Sequence, residues 1–190
     1  MLKFSTLHYE KSWFTAIFSI MKRVVMDAKS GQPVISFKQT WGNSIQVFGD
    51  PQFSSLMLEA RFIMKAALEW NLFEVGKAEP FGKMVSHIFL TALALGGEAI
   101  SVTAPDGKPL IIVEREGNTM MKHLVDNMSN LYNPTHVYTF KKPGGGEIGK
   151  VAMKHGILKS VYDFELTGGT EKERAAALLV FGYLLLMLKK

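Results

Sequence analysis

Val25–Gln39 reads VMDAKSGQPVISFKQ, and Val102–Glu116 reads VTAPDGKPLIIVERE. Each sets a turn of the form Gly-[Gln/Lys]-Pro ahead of an apolar-rich run, with Ser30-Gly31 in the first copy and Asp106-Gly107 in the second. Asp-Gly between apolar or alternating segments is a strong short-range hairpin signal. A proline directly after the turn belongs at the start of a strand, since it has no N–H for a central ladder. Pro33–Phe37 and Leu110–Glu114 therefore read as equivalent strands. A second echo joins Phe73–His87 (FEVGKAEPFGKMVSH) to Tyr138–His155 (YTFKKPGGGEIGKVAMKH), both with a turn ending in Gly-Lys-[Met/Val]. The copies keep their order and differ in length, as loops do. Together they predict one domain over 1–190, built from two similar β-rich halves of about 1–98 and 99–190.

Outward from these turns, Val137–Phe140, Ile148–Met153 and Ser160–Leu166 read as further strands. In the last, Val161, Asp163 and Glu165 oppose Tyr162, Phe164 and Leu166. Ser54–Trp70 (SSLMLEARFIMKAALEW) reads both ways: it is rich in helix formers, yet it alternates as Leu58, Ala60, Phe62, Met64 against Glu59, Arg61, Lys65. Asn118–Asn130 has helical spacing at Met121, Leu124, Val125 and Met128, and residues 87–95 share the ambiguity.

The C-terminus predicts a helix over 171–188. Thr170 with Glu173 three residues on forms a capping box after Gly168-Gly169, Glu171 and Glu173 suit the positive end of the helix dipole, and Lys189 and Lys190 suit its other end. Its body, AAALLVFGYLLLML at Ala175–Leu188, has no polar face, so it is either buried on every side or set in a membrane. That body spans about 21 Å, short of the roughly 30 Å hydrocarbon core of a bilayer, which favours burial. Hairpins followed by one all-apolar helix predict a mainly β fold with α: an antiparallel β-barrel enclosing that helix. Only a wide barrel has a bore for a helix about 10 Å across.

The 190 residues, 47% hydrophobic and 21% charged, match a single globular core. There is no cysteine, which removes disulfides, thiolate metal sites and cysteine nucleophiles and fits a reducing compartment. MLKFSTLHYEKSW carries Lys3, Glu10 and Lys11 without a long apolar run, unlike a cleaved signal, so a cytoplasmic location is expected. With 22 basic against 17 acidic residues the net charge is +5, which favours anionic partners such as phospholipid headgroups or nucleic acid.

The strand–turn–strand unit with its Gly-x-Pro turn, Tyr138–Val151 (YTFKKPGGGEIGKV), VYDFEL at Val161–Leu166 and the apolar helix Ala175–Leu188 resemble the superfamily that groups the tubby C-terminal domain, the phospholipid scramblases and the plant LURP-one-related proteins. The resemblance is strongest over 99–190. It implies a twelve-stranded barrel of two similar halves around a buried C-terminal helix, acting on lipid at a membrane surface. Two features depart from the scramblases. Their acidic string before the terminal helix is reduced here to Asp163, Glu165, Glu171 and Glu173, whereas calcium asks for six to eight oxygens from a compact site, which leaves calcium dependence open. Their cysteine-rich acylation segment has no counterpart.

Among local motifs, Gly144–Lys150 (GGGEIGK) has the spacing of a nucleotide phosphate loop, but Val151 stands where magnesium needs a hydroxyl, and too little chain follows for the helix that would hold the phosphate. The duplicate Gly82-Lys83 points to a structural turn instead. His8, His87, His123, His136 and His155 have no metal-ligand spacing, and the Ser19-x-x-Lys22 pattern lacks the rest of an acylating machinery. No catalytic constellation, metal site or cofactor is expected. Basic residues do cluster: Lys141 and Lys142 on one turn, and Lys150 and Lys154 on one face of the next strand. These four are the candidate headgroup contacts of a non-enzymatic, peripheral phospholipid-binding barrel. The alternative is a protein-interaction or nucleic-acid-binding module on the same barrel; Tyr138, Phe140, Lys141 and Lys142 come near a base-stacking strand without completing one.

Overall fold

The computed structural model describes residues 5–12, 21–64, 68–87, 97–116, 135–155 and 159–187. Its strands are β1 (Thr6–Ser12), β2 (Lys22–Asp27), β3 (Pro33–Gln39), β4 (Ile45–Phe48), β5 (Leu56–Met64), β6 (Leu68–Glu74), β7 (Gly82–Ser86), β8 (Gly97–Thr103), β9 (Pro109–Arg115), β10 (Thr135–Lys141), β11 (Glu147–His155) and β12 (Lys159–Leu166), followed by the helix α1 (Glu171–Met187). Each strand pairs antiparallel with its neighbours in sequence, and β1 closes the sheet against β12, from Thr6 opposite Glu165 to Ser12 opposite Lys159. The result is a twelve-stranded closed barrel with no free edge.

The two prolines stand where strands begin, Pro33 opposite Met26 and Pro109 opposite Thr103, and each hairpin has a register shift just before its turn, at Val25/Met26 and Val102/Thr103. Gly31 and Gly107 take φ of 67° and 83°, a left-handed conformation open to glycine at no steric cost. The Asp27 carboxylate accepts the Lys29 and Ser30 N–H groups, and Asp106 accepts that of Lys108. This echo therefore extends to backbone detail, and its two copies sit six strands apart, half the barrel. The second echo falls on the β6–β7 and β10–β11 turns, four strands apart, so a twofold barrel brings only the first into register.

Ser54–Trp70 is strand: β5 and β6 pair with each other, Phe62 opposite Trp70. Leu58, Ala60 and Trp70 are buried while Glu59 and Arg61 face out and pair with each other at 2.7 Å. Alternation prevails over helix propensity because each strand has a partner on both sides, and propensity is a weak prior against such burial. β1 and β4, which carry weak strand signals of their own, complete the circuit. Asn118–Asn130 and most of 87–95 lie outside the described residues.

Helix α1 starts as the capping box requires, the Glu173 N–H donating to Thr170 Oγ1 at 3.3 Å and the Thr170 N–H to Glu173 Oε2 at 2.6 Å. From Ala175 to Leu186 every residue is buried. Its partners come from all round the wall: Phe181 stacks on Phe164 of β12 at 4.7 Å and meets Phe37 of β3 edge-on at 5.5 Å, while Tyr183 meets Trp70 of β6 at 4.9 Å and hydrogen-bonds Ser86 of β7 at 2.8 Å. The helix thus fills the bore. Among the described residues no helix is long and apolar enough to cross a membrane.

The barrel has two unlike ends. The turns after β2, β4, β6, β8 and β10 gather at one with the N-terminus of α1, the turn end; the β3–β4 turn, Thr40–Ser44, lies at the other, the far end, towards which α1 runs.

Candidate functional site

The four candidate lysines ride on the β10–β11 hairpin. Inward positions are filled by Tyr138, Phe140, Val151 and Met153, all buried, so alternation turns Lys141, Lys150 and Lys154 outward. They do not form one cluster. Lys141 and Lys142 are at the turn end, Lys150 is midway, and Lys154, four residues further at about 3.3 Å each, is near the far end. They make a stripe along the outside of the barrel.

Two members are compensated by carboxylates on adjoining strands. Lys141 Nζ donates to Glu114 Oε2 at 2.6 Å, and Lys150 Nζ lies 3.5 Å from Glu165 Oε2, its register partner on β12. Beside them His8 Nδ1 contacts Asp163 Oδ1 at 2.7 Å and Lys159 Nζ contacts Glu10 Oε2 at 3.2 Å. Asp163 and Glu165 share one outward face, and each is engaged by a basic side chain. Among the described residues, Lys142 and Lys154 form no ion pair and are exposed. Sequence reading located the cations and missed the anions, which arrive from β9 and β12 by strand pairing; alternation alone gives a residue's face but not its neighbour.

GGGEIGK is explained by backbone. The Lys142 N–H donates to Gly146 O at 2.8 Å and the Gly145 N–H to Lys142 O at 3.0 Å, with Gly144 and Gly145 at φ of 97° and 99°. A Cβ on Gly149 would run into the Glu165 carbonyl, and one on Gly82 would come within 3.0 Å of Thr103 O. The shared Gly-Lys thus marks two places where an adjoining strand approaches closely, and β11 continues where a phosphate loop needs a helix.

The inner wall carries an aromatic and cationic set. The guanidinium of Arg23, itself buried, lies 5.9 Å from the ring of Tyr9, which packs against Tyr162 at 5.9 Å, and Arg115 is 3.1 Å from His136 Nδ1. Burial pushes the Tyr9, Tyr138 and Tyr162 hydroxyls above their ordinary pKa, against the opposing pull of Arg23 or Arg115. At the turn end a cleft of about 620 Å³ opens between Met57, Leu58, Glu74, Val75 and the start of α1 at Glu171, Arg174 and Ala175. Among the described residues no three His, Asp or Glu side chains are placed to hold a metal ion.

Set against family models, curated proteins and solved structures, the chain matches none.

Proposed function

We propose that this chain is a non-enzymatic barrel of the tubby- and scramblase-like kind that associates peripherally with anionic phospholipid headgroups through its basic residues. The observation that carries the reading is the exposure of Lys142 and Lys154 without a compensating carboxylate among the described residues, on a stripe whose other lysines are compensated, in a chain of net charge +5. Surface electrostatics supplies the mechanism. Each basic group near an anionic leaflet contributes about 1 kcal/mol, an effect that fades within a Debye length as salt rises. The resemblance drawn from the turns and the terminal helix supports the same reading. No catalytic step, metal or cofactor enters it.

Co-sedimentation with neutral, phosphatidylserine and phosphoinositide vesicles at low and physiological salt, with duplex DNA as control, tests it. Salt-sensitive pelleting with anionic vesicles alone is expected, and substitution of Lys141, Lys142, Lys150 and Lys154 together by Gln weakens it. Undiminished pelleting of that variant would remove the stripe from the mechanism. Binding to DNA with a steep salt slope and no headgroup preference would instead make the barrel a nucleic-acid module.

A further inference from the structure

Trp41 is 92% exposed, the most exposed large hydrophobic residue among those described. It stands at the tip of the Thr40–Ser44 turn, and that turn is braced. The Thr40 N–H donates to Ser44 O at 2.9 Å, the Asn43 N–H to Thr40 O at 3.0 Å, and the Ser44 N–H to Thr40 Oγ1 at 3.2 Å. Two side chains anchored in the wall hold Asn43 from below: Trp70 Nε1 donates to its carbonyl at 3.0 Å and Gln39 Nε2 to its Oδ1 at 3.1 Å. Asn43 itself sits at φ of 59°, a left-handed conformation that asparagine tolerates better than most residues. The fold commits half-buried hydrogen bonds to bracing a turn whose outermost side chain is an indole in water.

The geometry points to this far end as the face that meets the membrane, with Trp41 entering the headgroup layer. The inference rests on the phospholipid reading above and orients it. Tryptophan suits the membrane–water interface because its ring is apolar and its N–H polar. The charge beside the turn supports a lipid occupant. Lys22 and Lys38 are register partners on β2 and β3 at its foot, and both face outward, setting two cations side by side where an anionic surface would offset their repulsion. Of the stripe, Lys154 alone reaches the docking end.

The absence of cysteine makes the test direct. Gly42 has open space where a Cβ would stand, so Gly42→Cys beside Trp41 and Lys108→Cys in the β8–β9 turn place one environment-sensitive fluorophore at either end. With phosphatidylserine vesicles, the label at residue 42 is expected to shift blue and become shielded from an aqueous quencher while that at residue 108 does not. Trp41→Ala, with unchanged circular dichroism, is expected to bind the vesicles about tenfold more weakly. Pelleting of the unmodified protein with shielding at residue 108, at both labels equally or at neither would overturn the orientation and leave the phospholipid reading intact, as would full affinity of Trp41→Ala. Failure of the unmodified protein to pellet at either salt would overturn both.

Discussion

At Gly182 the helix lies close against the wall. A Cβ there would lie 2.7 Å from Phe37 Cδ1 and 3.1 Å from Ile45 Cγ2, and Phe37 is itself fixed edge-on to Phe181. Alanine gains about 1 kcal/mol in helix propensity over glycine, but overpacking a filled core costs about 1–3 kcal/mol, so steric cost prevails. Gly182→Ala is expected to lower the denaturant midpoint, whereas the same change at the exposed Gly42 leaves it nearly unmoved. The second residue-scale prediction concerns Glu114, whose carboxylate lies 2.6 Å from Lys141 Nζ. Such surface pairs contribute at most about 1 kcal/mol to stability, but this one cancels a cation on the candidate lipid-binding stripe. Because Lys141 lies at the turn end, away from the docking face, Glu114→Gln should leave both the melting temperature and the binding to anionic vesicles within error. Tightening by about fivefold at low salt, the equivalent of about 1 kcal/mol for one freed charge, would bring Lys141 to the leaflet and overturn the far-end orientation.

At the scale of elements, α1 shows how a sequence signal becomes structure. Thr170 and Glu173 satisfy each other's backbone N–H, and losing a cap of this kind costs about 1 kcal/mol, so Thr170→Ala should lower the unfolding free energy by about that much in a denaturant titration. Leu178→Ala, deep in the bore, should cost about 2–5 kcal/mol. The helix, the Gly-x-Pro hairpins and the β10, β11 and β12 strands were legible because each carries its signal locally: a cap, a positive-φ glycine, an alternation. Ser54–Trp70 was not, since its choice of strand over helix is made by β4 and β7, the strands that pair on either side of it. β4 is four residues long and β1 alternates only through Leu7 and Tyr9 before Glu10 and Lys11, so each pattern is too short to mark a strand by itself. The site was half legible for the same reason. Sequence placed Lys150 on the outer face, but only strand register brings Glu165 opposite it. Nothing local marks Trp41 as exposed, because its exposure follows from Trp70 and Gln39 holding the turn beneath it.

For the molecule as a whole, the barrel encloses tyrosines whose ionisation it opposes. Burial raises the Tyr9, Tyr138, Tyr162 and Tyr183 hydroxyls above 10.0, outweighing Arg23 beside Tyr9 and Tyr162, Arg115 beside Tyr138, and the Ser86 hydrogen bond to Tyr183. The unfolded chain releases these protons near its ordinary tyrosine pKa of about 10, while the folded barrel holds them to higher pH. Their contribution to stability is therefore complete below about pH 10 and is lost as pH rises from there through the folded values. Denaturant midpoints measured from pH 8 upward should stay flat and then fall, and tyrosinate absorbance should appear together with the loss of circular dichroism rather than ahead of it. Tyr183→Phe isolates the contribution of one hydroxyl. It strands the Ser86 hydroxyl and lowers stability at neutral pH by about 1–3 kcal/mol, yet it has one fewer proton to lose, so its alkaline decline should be shallower. Tyrosinate forming in two steps while the barrel remains folded would mean that water reaches these hydroxyls, and that the bore around α1 is open at one end.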